Sequence, residues 1–171
     1  MRHSTASITA VTLLGILAWS LSAAANENVK KALDVLYRRS SKAYAKKDIE
    51  AFLADKTADF VLKTLDGHLV TSDDLRQTLP ARWQRMKEIK YLKIKIRDLQ
   101  IAEAQAVAVT EQEFARVVAG PDGKTHTVVT KGTLHRDTWV RTEQGWKIRI
   151  VQEIEQGSEI VDGVPLKPKR N

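Results

Sequence analysis

His135, Asp137 and Trp139 stand at alternate positions in a run, Thr125 to Val140, that reads as a β-strand. Successive side chains of a strand point to opposite faces. Regular alternation therefore puts Thr133, His135, Asp137 and Trp139 on one face and Leu134, Arg136, Thr138 and Val140 on the other. A histidine beside a carboxylate on one face has the makings of a general base and the group that orients it. His135 and Asp137 are thus the candidate catalytic residues. The competing arrangement is structural: a carboxylate paired with a nearby arginine or capping the sheet edge, and a histidine that simply packs. Structural ion-pair networks perturb carboxylates too.

Other chemistry finds less to work with. The chain has no cysteine, which excludes thiol catalysis and Cys-ligated metals. His68, His126 and His135 lack the usual metal-ligand spacing, and in a regular strand His126 lies on the face opposite His135. No phosphate-cradling glycine loop and no G-x-S-x-G elbow occurs. No metal and no cofactor are expected. Tyr37, Tyr44, Phe52, Trp83, Trp139 and Trp146 can line an apolar pocket or serve as core. Trp146, after Gly145, reads as core. Tyr37, Tyr44, Trp83 and Trp139 are the pocket candidates, with Gln152 and Ile154 across from them on the last strand.

The elements that must position these residues follow from periodicity. Asn28 to Ala54 reads as helix: Val29, Leu33, Leu36, Tyr37 and Tyr44 recur at three- and four-residue spacing, with a break at Lys46-Lys47 and Asp48 capping a short second helix. Two strand-like runs flank Asp66-Gly67, the pattern of a type I′ hairpin. Ser72-Asp73-Asp74 opens a third helix with Leu75, Leu79, Trp83 and Met86 on its buried side, kinked or restarted at Pro80. Lys90–Arg97, Ala104–Val118, Thr125–Val140 and Gly145–Glu155 then form four long strands in a meander, and from Gln156 the chain reads as a loose tail. Helices and strands are segregated, so the fold class is α+β: three N-terminal helices on a curved, mainly antiparallel sheet, a cone with a pocket at its open end.

Lys47-Asp48-Ile49-Glu50-Ala51-Phe52-Leu53-Ala54-Asp55 and Arg136-Asp137-Thr138-Trp139 through Gly145-Trp146-Lys147-Ile148 resemble, in order and spacing, pieces of the nuclear transport factor 2-like superfamily. That group includes the SnoaL-like cyclases and ketosteroid isomerase, and the resemblance covers Asn28 to Glu155. It implies that Asp137, His135 and Trp139 face the concave side, where the matching isomerase acid stays protonated and donates to a developing oxyanion. It also implies a homodimer joined through the convex sheet. The isomerase's base on the first strand has no counterpart: Phe60-Val61-Leu62-Lys63 holds no acid. Its helix-one tyrosine has only Tyr37 and Tyr44 as neighbours in sequence. The isomerase activity is therefore not carried over.

Arg2, an apolar run from Val11 to Leu21 and Ala23-Ala24-Ala25 form the signature of a cleavable leader over residues 1–25, with cleavage before Asn26. The run is short for ~30 Å of hydrocarbon, so no stable membrane anchor is expected after cleavage. Export, to the periplasm or beyond, follows. Removing 25 residues from 171 leaves 146, enough for one domain over 26–155 and a tail over 156–171. The formal charge of +7 falls to +6 without Arg2. The basic residues are dispersed among acids outside Lys167–Arg170, which argues against a nucleic-acid partner. Three functions remain: binding of a small, largely apolar molecule in the cone; an isomerase, dehydratase or cyclase using Asp137 and His135; or a protein-interaction module with a filled pocket.

Overall fold

The computed structural model describes the backbone of residues 11–166 and the side chains of residues 26–166. The expected leader therefore lies outside the residues whose side chains are described, as does the basic end at 167–171. Among the described residues no helix is long and apolar enough to cross a membrane.

The described residues form two helices, a strand hairpin, a third helix and then long strands. Helix α1 (Val11–Ala45) presents Leu33, Tyr37 and Ala43 to the interior. It ends where the charged pair Lys46-Lys47 interrupts the apolar stripe. Lys47 takes a left-handed φ of 58°, its N–H bonds the Tyr44 carbonyl at 3.0 Å, and the Asp48 N–H reaches Ala43 at 3.0 Å. This pairing closes a helix C-terminus and is more usually built on glycine. The Asp48 side chain then accepts from the Ala51 N–H and starts α2 (Ile49–Leu53). Helix α3 (Ser72–Gln84) is capped one residue earlier than expected. Thr71 accepts from the Asp74 N–H and Asp74 returns the bond to the Thr71 N–H, a reciprocal capping box. Pro80 sits inside α3 on its exposed side, where the carbonyl it leaves unbonded can meet water, so the helix needs no second start.

The strands are β1 (Lys56–Lys63), β2 (Leu69–Thr71), β3 (Met86–Ala102), β4 (Gln105–Ala119), β5 (Thr125–Thr142), β6 (Gly145–Glu155), β7 (Ser158–Val161) and β8 (Val164–Pro165). They form one sheet in the order β2-β1-β6-β5-β4-β3, antiparallel except for the β1–β6 pair. The fold is α+β, with the helices on the concave face of a curved, mainly antiparallel sheet. Three expectations need correction. Met86 opens β3 rather than extending α3. The Asp66-Gly67 turn is not type I′. Only Gly67 has positive φ, at 87°, and its N–H bonds Thr64 while Thr64 N–H bonds His68. That is a three-residue loop closed by a left-handed glycine. The expected tail is not loose over residues 158–165: β7 pairs with β5 from Val128 to Lys131, and β8 pairs with β7.

Bulges decide which side chains face inward. Each extra residue in one strand flips the alternation beyond it. In β5, Gln112↔Thr133 is followed by Glu113↔Lys131, so Gly132, with φ 78°, is the extra residue. His126 therefore shares a face with His135, opposite to the expectation for a regular strand. In β6, Thr138↔Ile150 adjoins Trp139↔Ile148, and Leu134↔Glu155 adjoins His135↔Glu153, leaving Arg149 and Ile154 as the extra residues.

Candidate functional site

Between the concave face and the helices lies a cavity of about 530 Å³. Its apolar wall comes from Phe52, Phe60, Leu62, Leu75, Leu79, Leu92, Ile94, Phe114 and Val151, and the exposed Arg82 also lines it. A cavity of this size lies within the range of small-molecule sites, which starts at about 300 Å³.

Asp137 is the polar centre of the wall, only 1% exposed. Ala108 stands opposite it on β4 and Ala106 opposite Trp139, so small residues leave room for the carboxylate and the indole. Tyr37 of α1 donates to Asp137 Oδ2 at 2.6 Å, and Thr110 donates to the same oxygen at 3.1 Å. Trp139 Nε1 donates to the Tyr37 hydroxyl at 2.8 Å, with the two rings edge to face at 5.2 Å. The second oxygen, Oδ1, is buried without a partner. Burial pushes the Asp137 carboxyl up to about 6, against the opposing pull of the Tyr37 and Thr110 hydrogen bonds and the Lys56 charge. The Tyr37 hydroxyl is raised well above its ordinary value, first by burial and then by the Asp137 charge.

His135 lines the same cavity and is 7% exposed, but it is not Asp137's orienting partner. Asp137 Oδ2 is bonded by Tyr37 and Thr110, and His135 Nδ1 is buried without a hydrogen bond. Burial lowers the His135 pKa, partly offset by Glu153. The expected pair thus shares a wall without forming a dyad.

Tyr37, Tyr44 and Trp139 line the cavity as the sequence suggests. Trp83 is buried behind Tyr44, edge to face at 5.4 Å, rather than on the wall. Gln152 and Ile154 do not line it, because the extra residue Arg149 turns Val151 and Glu153 inward instead. Glu153 is a wall residue and accepts the Leu65 N–H through Oε2 at 3.1 Å.

Two wall residues escaped notice in the sequence. Lys56 is in phase with Phe60 and Leu62, a spacing that could have revealed it. It is half-buried, donates from Nζ to the Phe52 carbonyl at 2.8 Å, and lies 3.8 Å from the Phe52 ring centre and 5.2 Å from that of Phe60. Burial lowers its pKa to about 8, with the Asp137 charge acting in the other direction. Asp55, 2% exposed, is bonded by Arg39 Nε at 2.9 Å and paired with the same guanidinium. The carboxylate–arginine pair considered for Asp137 is realised at Asp55. Among the described residues no cluster of three or more His, Asp or Glu could hold a metal.

No family model and no curated protein matches the sequence. Solved structures do match, and they define the class: the chain has the nuclear transport factor 2-like, cystatin-like fold. A nuclear transport factor 2-like superfamily protein from Salmonella enterica is 14% identical, with a TM-score of 0.58 over 76% of this chain and 92% of that one. A proposed scytalone dehydratase from Novosphingobium aromaticivorans is 11% identical, with a TM-score of 0.64 over 77% and 93%. A type 2 hexachlorocyclohexane dehydrochlorinase is 9% identical, with a TM-score of 0.60 over 82% and 92%. At these identities the likeness is one of fold, and a fold hosts many functions.

Proposed function

We propose that the domain holds a small, largely apolar molecule in its cone, with a polar group of that molecule against Asp137. One observation carries the reading: in the wall of an apolar cavity, Asp137 Oδ1 is buried and unpaired. Such a group costs free energy unless a partner arrives. Protonated, Asp137 can donate to a carbonyl; ionised, it can accept from a hydroxyl. The hollow also speaks against a module whose pocket is filled by side chains.

Acetophenone is a suitable probe, followed by NMR chemical shifts on the purified protein. Binding should saturate, weaken as pH rises through about 6, and vanish in Val151→Trp, which fills the cavity, while circular dichroism stays unchanged. Shifts that persist undiminished in the filled variant would place the probe elsewhere and end the proposal.

A second reading, an isomerase- or dehydratase-type enzyme, is favoured by a carboxyl that burial pushes up to about 6 and that is bonded to a tyrosine inside the cavity. The dehydratase and dehydrochlorinase among the solved neighbours lend it support by fold. Delivery across the cytoplasmic membrane belongs to the same proposal and rests on Arg2, the Val11–Leu21 run and Ala23-Ala24-Ala25. An intact mass beginning at Asn26 in protein from its own source is the expected result, and one retaining Met1 would overturn it.

A further inference from the structure

Lys56 is a primary amine in the wall of an apolar cavity, and neither reading above uses it. Lysines rarely sit in such places without a carboxylate at contact distance. Among the described residues Lys56 has none within ion-pair range, and its one hydrogen bond runs to the Phe52 carbonyl. Phe52 and Phe60 flank its ammonium group, and Asp137 lies close enough for its charge to act on it. A half-buried amine flanked by aromatic rings, facing a hollow and accompanied by a carboxyl with a free oxygen, has the parts needed for carbonyl condensation.

We propose that Lys56 condenses with the carbonyl carbon of an apolar aldehyde or ketone held in the cavity, forming a reversible imine, with Asp137 passing the protons. This rests on the cavity being a binding site. The neutral Lys56 amine adds to the carbonyl carbon, and the carbonyl oxygen takes the proton of the Asp137 carboxyl. Asp137 recovers a proton from the nitrogen of the resulting carbinolamine and returns it to the departing hydroxyl. Water leaves, and a protonated imine remains beside the Asp137 carboxylate. Burial supports the chemistry by lowering the Lys56 pKa to about 8, so that a useful fraction of the amine is neutral near physiological pH.

Benzaldehyde with cyanoborohydride tests this on the full chain, because the reductant adds hydride to the imine and fixes the adduct as a secondary amine. Peptide mapping by mass spectrometry should find Lys56 modified at least about tenfold faster than the exposed lysines near neutral pH, given its lower pKa. Asp137→Asn should slow that labelling, and Lys56→Arg should remove the fast phase. Labelling that merely follows solvent exposure, with acetophenone binding intact, overturns the role of Lys56 and leaves the binding reading standing. Loss of both fast labelling and acetophenone binding in the unmodified protein overturns the two together.

Discussion

The Tyr37 hydroxyl donates to Asp137 Oδ2 at 2.6 Å across 100 residues of chain, joining the first helix to the fifth strand inside the cavity. The same hydroxyl accepts from Trp139 Nε1 at 2.8 Å. Tyr37→Phe removes both bonds at once. Asp137 keeps only Thr110 and the indole N–H loses its acceptor, so unfolding should become easier by about 1–3 kcal/mol in urea. The Asp137 pKa, which Tyr37 holds down, should rise above its present value of about 6 in carboxyl NMR titration. An unmoved titration curve would show that the bond does not form in solution.

Stability should fall as Asp137 ionises. Its folded pKa of about 6 lies above the ordinary carboxylate value, so the folded state holds the proton more tightly than the unfolded chain. The contribution is fully present below roughly pH 4 and is lost as pH rises through about 6. Asp137→Asn cannot ionise. Relative to that variant, the parent should lose stability between those limits, by up to roughly 3 kcal/mol, in denaturation curves run across the range. A difference that stays flat with pH would refute the elevated pKa.

Arg39 and Asp55 give the opposite test, of a carboxylate held for structure. Asp55 is buried while the Arg39 side chain is 58% exposed. Arg39→Met leaves a buried charge without its partner and should cost about 2–3 kcal/mol, somewhat below the range for a fully buried pair. The double variant Arg39→Met/Asp55→Asn should recover part of that loss, and a strictly additive outcome would contradict the pairing.

Gly132 carries the β5 bulge in a left-handed conformation, φ 78°, and a Cβ added there would meet nothing within 4 Å. Gly132→Ala should therefore cost about 1–2 kcal/mol through backbone strain rather than collision. Deleting Gly132 should do far more harm, because it would turn either His126 and Val128 or His135 and Asp137 to the other face. If the deletion variant bound acetophenone like the parent, the inward set would not depend on the bulge.

Much of this site was legible because β5 keeps strict alternation from Thr133 through Thr138, the stretch that holds His135 and Asp137. Gln152 and Ile154 were misjudged for the converse reason: the extra residue Arg149 reverses the faces of β6 beyond it, Ile154 is itself a second extra residue, and nothing in Ile148-Arg149-Ile150-Val151 announces a bulge. Lys56 was passed over because a lysine at a strand start reads as solvated, and the aromatic rings that bury it are set by tertiary packing. The α1 break at Lys46-Lys47 was visible as a gap in the apolar stripe. Its second role was not: Lys47 Nζ donates to the Trp83 and Met86 carbonyls and so ties α1 to the end of α3.

The last described strands have a consequence for the molecule among its own copies. β6 covers β5 only from Leu134 onward, so without β7 the backbone of Val128 to Lys131 would offer an open edge to any passing strand. β7 takes that edge, Arg116 clasps it through Glu159 at 2.8 Å, and the exposed boundary passes to β8, two residues long and ending in Pro165. A strand so short, with a proline that lacks an N–H, is a poor template for another chain. Chain cut after Glu155 should keep the cavity walls from β1 to β6 yet polymerise edge to edge on standing: the terminal hairpin acts as a stopper against fibre growth.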